Sequence, residues 1–212
     1  MLAEFEQPID HKLLIKTDKT FELKQIDLLK VDLFNKLTLK NNILDNETLQ
    51  LIWDIFFRLE DIQKCIVDFY NHQNGYLIHE WNKNIFPGIE KFLDDKTLLY
   101  SGLSRIYSVF DKLSRYISSK YKLDIKYFKD LENINENFES NFLNKATAIA
   151  NSNEYKLMYI LRNRIAHNLS SGALMGSQGI KNDNYYIFYC LNYLIFTCYE
   201  LISSEIQNIG TN

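Results

Sequence analysis

Prolines and glycines are scarce in this chain, two and seven among 212 residues. So few turn-forming residues exclude a fold built on many tight β-turns and favour long helices. A positive charge balance is also missing. The net charge is −3, and only five residues are arginine. This excludes a protein that coats nucleic acid through bulk electrostatics, but not one with a local basic site. Cysteines number three, Cys65, Cys190 and Cys198, each inside an apolar run. Their odd number, and the lack of a histidine or acid at ligand spacing from Cys190 and Cys198, point to buried small hydrophobes rather than disulfides or metal ligands. The start Met-Leu-Ala-Glu-Phe-Glu-Gln-Pro has no basic stretch followed by an apolar one. No signal peptide is expected, and a cytoplasmic location is.

What is present suits a globular protein. Hydrophobic residues make up 46%, charged residues 24% and aromatics 14%, so a substantial core can form. The length fits one large domain or a domain with a small extension. The stretch from Tyr185 to Ile202 is nearly all apolar, with Asn192, Thr197 and Glu200 as its clearly polar members. It approaches the length of a membrane span. Its five tyrosines and its charge favour a central helix buried in a bundle, and no membrane association is expected.

Residues 1–44 differ from the rest and read as an N-terminal extension. Leu13 to Lys24 holds two short apolar runs around Thr17-Asp18-Lys19-Thr20, the pattern of a small hairpin. Ile26, Leu29, Leu33 and Leu37 then fall at helical spacing, with Asn41-Asn42 as a stop. From residue 45 onward a helical domain is expected. Asp45 or Asn46 caps a helix carrying Leu49, Ile52, Trp53, Phe56, Leu59, Ile66 and Phe69 to about Tyr70. Asn71 to Gly75 reads as a break or sharp kink, Tyr76 to Asn84 as a shorter helix, and Phe86-Pro87-Gly88 as a corner. Leu99, Leu103, Ile106, Phe110, Leu113 and Ile117 form a heptad-like seam. Asp124 to Asn151 is polar but helical in character. Its expected contacts are Tyr127, Phe128, Leu131, Phe138, Phe142 and Leu143, and its breaks Asn135 and Asn151-Ser152-Asn153. Glu154 to His167 forms a helix with Met158, Leu161 and Ile165 inward. A last helix runs from Tyr185 to Gln207. The expected class is all-α, an up-down helical bundle.

Chemistry concentrates in Arg162-Asn163-Arg164-Ile165-Ala166-His167. On an ideal helix Arg162 and His167 stand about 140° apart, whereas Asn163 and His167 stand about 40° apart. Arg164, three residues before His167, is also its neighbour. Arg162 is therefore expected to point elsewhere, and its cooperation with a histidine needs a second protomer or distortion at the helix end. Basic residues at a helix C-terminus also complement its dipole without any catalytic role. Other polar candidates are weaker. His79-Glu80 reads as a surface pair. His72 and His11 lack metal-ligand partners at useful spacing. Asp111 has the spacing for a solvated salt bridge to Arg115, or to orient a catalytic group. Gly172, Gly176 and Gly179 have no strand before them and no Lys-Ser or Lys-Thr after them, so they form no phosphate-binding loop.

Arg162, Asn163 and His167, near the end of the penultimate long helix, resemble the Arg-Asn-x-x-x-His signature of the HEPN superfamily. The likeness in helix order covers residues 46–207, and specific identity is confined to the motif. The resemblance implies an α-helical bundle that is commonly dimeric. It also implies a metal-independent endoribonuclease of toxin–antitoxin or phage-defence type, with no cofactor. Arg162, Asn163 and His167 would be catalytic and Arg164 would bind substrate. Implied partners are RNA, a second copy of the chain, and an antitoxin or defence effector. In a subgroup of these toxins a tyrosine two residues after the histidine is modified by the antitoxin. Leu169 stands there, and Tyr185 and Tyr186 are too distant to replace it. The alternative is a non-catalytic HEPN-like module for protein or RNA binding, which the acidic net charge and few arginines suit. A plain helical scaffold is a third reading.

Overall fold

The computed structural model describes residues 23–40, 42–73, 90–134, 138–168 and 183–208, and for residues 23–25, 69–73, 90–97, 164–168, 183–186, 189 and 208 the backbone alone. These residues are helical almost throughout. Among the described residues there are six α-helices: α1 (Leu23–Lys40), α2 (Asn46–Gln73), α3 (Glu90–Tyr121), α4 (Asn141–Asn151), α5 (Asn153–Asn168) and α6 (Asp183–Asn208). One 3-10 turn, Phe128–Asn133, links α3 to α4. No strand occurs among the described residues.

Local chemistry explains the boundaries. Asp45 caps α2, its Oδ1 accepting from the Thr48 N–H at 2.7 Å. That bond is the main reason the Asp45 carboxyl lies below the ordinary aspartate range. Ser140 and Ser152 accept from Leu143 N and Tyr155 N, capping α4 and α5 in the same way. Lys122 takes φ 56°, a left-handed conformation that ends α3.

Successive long helices return along one another. Asp54 meets Lys112 and Arg58 meets Ser108, so α2 and α3 are antiparallel. Lys30 meets Glu60, and Phe34 packs on Trp53, so α1 and α2 are antiparallel as well. Phe110 meets Tyr155 and Tyr107 meets Tyr159, which sets α5 antiparallel to α3. The seam expected on α3 is buried along its length, from Leu99 to Ile117. α6 is buried on nearly every side, with Leu191, Leu194, Ile195, Cys198 and Tyr199 all at 0% exposure. It passes so close to α3 that a Cβ on Gly102 would lie 2.9 Å from Leu191 Cδ1. No helix among the described residues is long and apolar enough to cross a membrane. All three cysteines are free and buried.

Several expectations need adjusting. The helix within residues 1–44 does not stand apart: Ile26, Leu33 and Leu37 join the common core. Lys36 donates to Ser203 Oγ, and Lys40 to the Ile206 carbonyl, which ties α1 to α6. α2 continues through residues 71–73, where a break or sharp kink was expected to begin. Residues 124–133, expected as helical in character, are an extended start and a 3-10 turn, and an α-helix forms only from Asn141. Asp130 reaches back to the N–H groups of Lys126 and Tyr127 and locks that turn. Tyr127, expected as a packing contact, is 41% exposed. Residues 13–22 of the expected hairpin, the short helix at 76–84 and the corner at 86–88 lie outside the described residues.

A buried polar knot closes one end of the bundle. The Glu205 side chain of α6 is 3% exposed. Its carboxylate accepts from Tyr116 Oη at 2.5 Å and from Tyr121 Oη at 2.6 Å. Lys120 Nζ lies 3.0 Å away and supplies the countercharge. Thr48, at the start of α2, meets the Tyr116 hydroxyl at 3.2 Å. Three helix ends are thereby held to one carboxylate. Burial, and then the bond to Glu205, push both tyrosines well above the ordinary phenol range.

Candidate functional site

α5 is continuous from Asn153 to Asn168, so the whole motif lies on one helix. Its backbone sets Asn163 and His167 on one side, as the helical phases require. The side chains of Arg164 and His167 lie outside the described residues, as do His11, His79, Glu80, Leu169 and the glycines at 172, 176 and 179. His72 lies within α2, where a break or sharp kink had been expected.

Arg162 does not point away from Asn163. Its Nη1 donates to Asn163 Oδ1 at 3.0 Å. The same guanidinium lies over the Tyr107 ring of α3, 4.3 Å from the ring centre. Helical phase fixes only where the Cβ starts. The long, flexible arginine stem then carries the charged plane back around the helix, with Tyr107 as its floor. Arg162 and Asn163 therefore act as one unit.

Asn163 extends that unit. Its side chain also hydrogen-bonds the Tyr159 hydroxyl. Because that bond favours the Tyr159 phenolate, the Asn163 amide N–H is the donor and the Tyr159 oxygen accepts. Lys129, on the 3-10 turn, donates to the same hydroxyl at 3.2 Å. Burial disfavours the Tyr159 phenolate. The two donors, with the charges of Lys129 and Arg162, outweigh burial and lower its pKa below the usual tyrosine value. The bond to Tyr159 in turn raises the pKa of Lys129. Tyr107, next to this pair, is shifted upward, first by burial and then by the charge of Asp111.

The expected Asp111–Arg115 salt bridge is not among the ion pairs of the described residues. Asp111 is half-buried, and its charge acts on Tyr107 one turn away on α3 and on Tyr155 across the α3–α5 contact. The apolar backing of the site is aromatic. Phe110, Phe128 and Tyr155 meet with centroids 4.7 to 5.3 Å apart. This cluster joins α3, the 3-10 turn and α5, and so sets where Lys129 stands relative to Tyr159.

Sequence reasoning missed Tyr107, Tyr159 and Lys129. Tyr159 was open to detection, since it stands four residues before Asn163 and three before Arg162. Tyr107 and Lys129 carried no such signal. They are 55 and 33 residues before Arg162 in the chain, and only the fold brings them together.

Chemically, the arrangement offers a guanidinium held in a fixed plane, an ammonium, an amide and a phenol biased toward ionisation. The guanidinium and the ammonium are groups that can hold an anion. Among the described residues no group of His, Cys, Asp and Glu could hold a metal ion. No family model matches the chain, and no characterised protein or solved structure is detectably similar to it.

Proposed function

We propose that the chain is a metal-independent endoribonuclease built as an up-down, HEPN-like bundle. The observation that supports it most is the Arg162–Asn163 unit, joined at 3.0 Å on the helix that carries His167 one turn later. The imidazole of His167 takes the proton from a ribose 2′-hydroxyl, a task suited to histidine, whose unperturbed pKa is near ~6.5. The 2′-oxygen attacks the adjacent phosphorus, and the bond from phosphorus to the 5′-oxygen breaks. The leaving oxygen takes a proton from water. The products are a 2′,3′-cyclic phosphate and a 5′-hydroxyl. Arg162 stabilises the charge that gathers on the non-bridging oxygens. Asn163 holds the guanidinium in place, and Arg164 adds a phosphate contact. The nucleophile belongs to the substrate, so the route calls for no metal. In the homodimer, two copies of the motif meet and complete each other.

Purified protein incubated with RNA in a chelator tests this. Cyclic-phosphate ends are expected, and His167→Ala should slow cleavage by about 10²–10⁴-fold. Arg162→Lys should also lose much of the activity, because an ammonium cannot make the planar, two-pronged contact. A His167→Ala protein that cuts as fast as wild type refutes the assignment. A protein that sediments as a monomer yet cleaves fully refutes the shared site.

One observation favours a second reading. The Arg162 guanidinium is already engaged within the chain, by Tyr107 and by Asn163. That suits a non-catalytic module in which the motif maintains the helix contact. Such a module would leave RNA intact, and Arg162→Lys would lower its thermal stability instead.

A further inference from the structure

A strip of alternating cations and phenol rings runs away from Asn163. Arg162 covers Tyr107, whose ring lies 6.4 Å from that of Tyr159. Lys129 Nζ stands 5.0 Å from the Tyr159 ring and 5.7 Å from that of Tyr127. Lys126 Nζ closes the strip, 5.1 Å from the Tyr127 ring. The ion pairs of the described residues engage Lys30, Lys36, Lys112, Lys120 and Lys156, not these three cations. Three acids stand nearby, Asp111 beside Tyr107 and two on the 3-10 turn. Asp130 accepts from the N–H groups of Lys126 and Tyr127, and Glu132 pairs with Lys156. In a chain of net charge −3, this sets three cations that make no ion pair among the described residues beside a Tyr127 ring that is 41% exposed.

We infer that the strip is a binding track for single-stranded RNA, with bases stacking on Tyr127 and phosphates held by Lys126, Lys129 and Arg162. The choice of RNA rests on the ribonuclease reading; the choice of a single strand rests on the strip itself. A single strand offers unstacked bases to an exposed ring, and phosphates to the cations beside it. A duplex keeps its base faces stacked inside, so Tyr127 would find nothing to stack on. An acidic polypeptide would satisfy the cations and leave the ring unused.

The test uses the full chain and a fluorescent 2′-O-methyl RNA dodecamer, which lacks the attacking hydroxyl and so separates binding from cleavage. Anisotropy is followed across a salt series, for the single strand and for its duplex. The single strand should bind about tenfold tighter than the duplex. Three phosphate contacts give a slope of log K against log salt of about −2. Tyr127→Ala should weaken binding about tenfold, and Tyr127→Phe should stay within about twofold of wild type. Lys126→Ala should flatten the slope by about 0.7. Both residues are exposed, so circular dichroism should be unchanged. Equal affinity for the duplex, or a Tyr127→Ala protein that binds like wild type, overturns the track. Capture of polyglutamate without capture of RNA also overturns it. If the track binds as described but unmodified RNA is never cut, the ribonuclease reading fails and the track stands. If RNA is cut while Tyr127→Ala changes nothing, the reverse holds.

Discussion

Replacing Tyr116 by phenylalanine removes one hydroxyl from the knot around Glu205 and leaves the ring in place. Tyr116 is 4% exposed, and its hydroxyl donates to a carboxylate that is itself buried. Losing a hydrogen bond to a buried charged group costs about 2 kcal/mol. The variant should be less stable than wild type by that amount at neutral pH. The difference then changes with pH. In the folded protein, burial and the bond to Glu205 hold the Tyr116 phenol above its ordinary value. In the unfolded chain it titrates near ~10. Its stabilising contribution is therefore complete below about pH 10 and falls as the pH rises, by about 1.4 kcal/mol per unit. Phenylalanine has no such dependence. The two stability curves should cross near about pH 11.5, above which the variant is the more stable protein. Urea unfolding followed by far-ultraviolet circular dichroism, repeated from neutral pH upward, measures both curves. A difference that stays constant with pH would refute the argument, because the phenol would then titrate alike in both states.

Two further outcomes follow from the core. Phe110→Ala should destabilise by about 3–5 kcal/mol, measured by the same unfolding method, since a buried ring that touches Phe128 and Tyr155 is lost. It should also weaken RNA cleavage, because that cluster sets the spacing between Lys129 and Tyr159. The cysteines should be inert to a thiol reagent at pH about 8 until the chain unfolds. Burial raises all three thiols, Cys190 up to about 12. Rapid labelling of Cys190 or Cys198 in the folded protein would contradict the packing of α6.

The helices were legible because their signals are local. The α3 seam from Leu99 to Ile117 repeats at helical spacing, and all six of its residues are buried. Asp45 lies immediately before the helix it caps. The stretch from Tyr185 resolved into a core helix, as its tyrosines implied. The membership of α1 was not legible. Its apolar spacing says that it has a buried face, but not which helix covers it. Tyr127 shows the same limit from the other side. An aromatic residue among apolar neighbours reads as core, yet the Asp130 clasp on the turn leaves it facing solvent.

Alone, the sequence determined the all-helical class, the buried character of the three cysteines, and the placing of Arg162, Asn163 and His167 on one helix. Each of these depends on residues within a few turns of one another, where periodicity and capping chemistry operate. The tertiary structure decided where the Arg162 guanidinium lies. A four-bond stem can deliver its charge to either side of a helix, and the Tyr107 ring on a distant helix selects the side. It also decided that Lys129 and Tyr159 meet, and that Glu205 holds two tyrosines and a lysine. These contacts join residues 30 to 89 positions apart, and chain chemistry does not pair such residues until packing does.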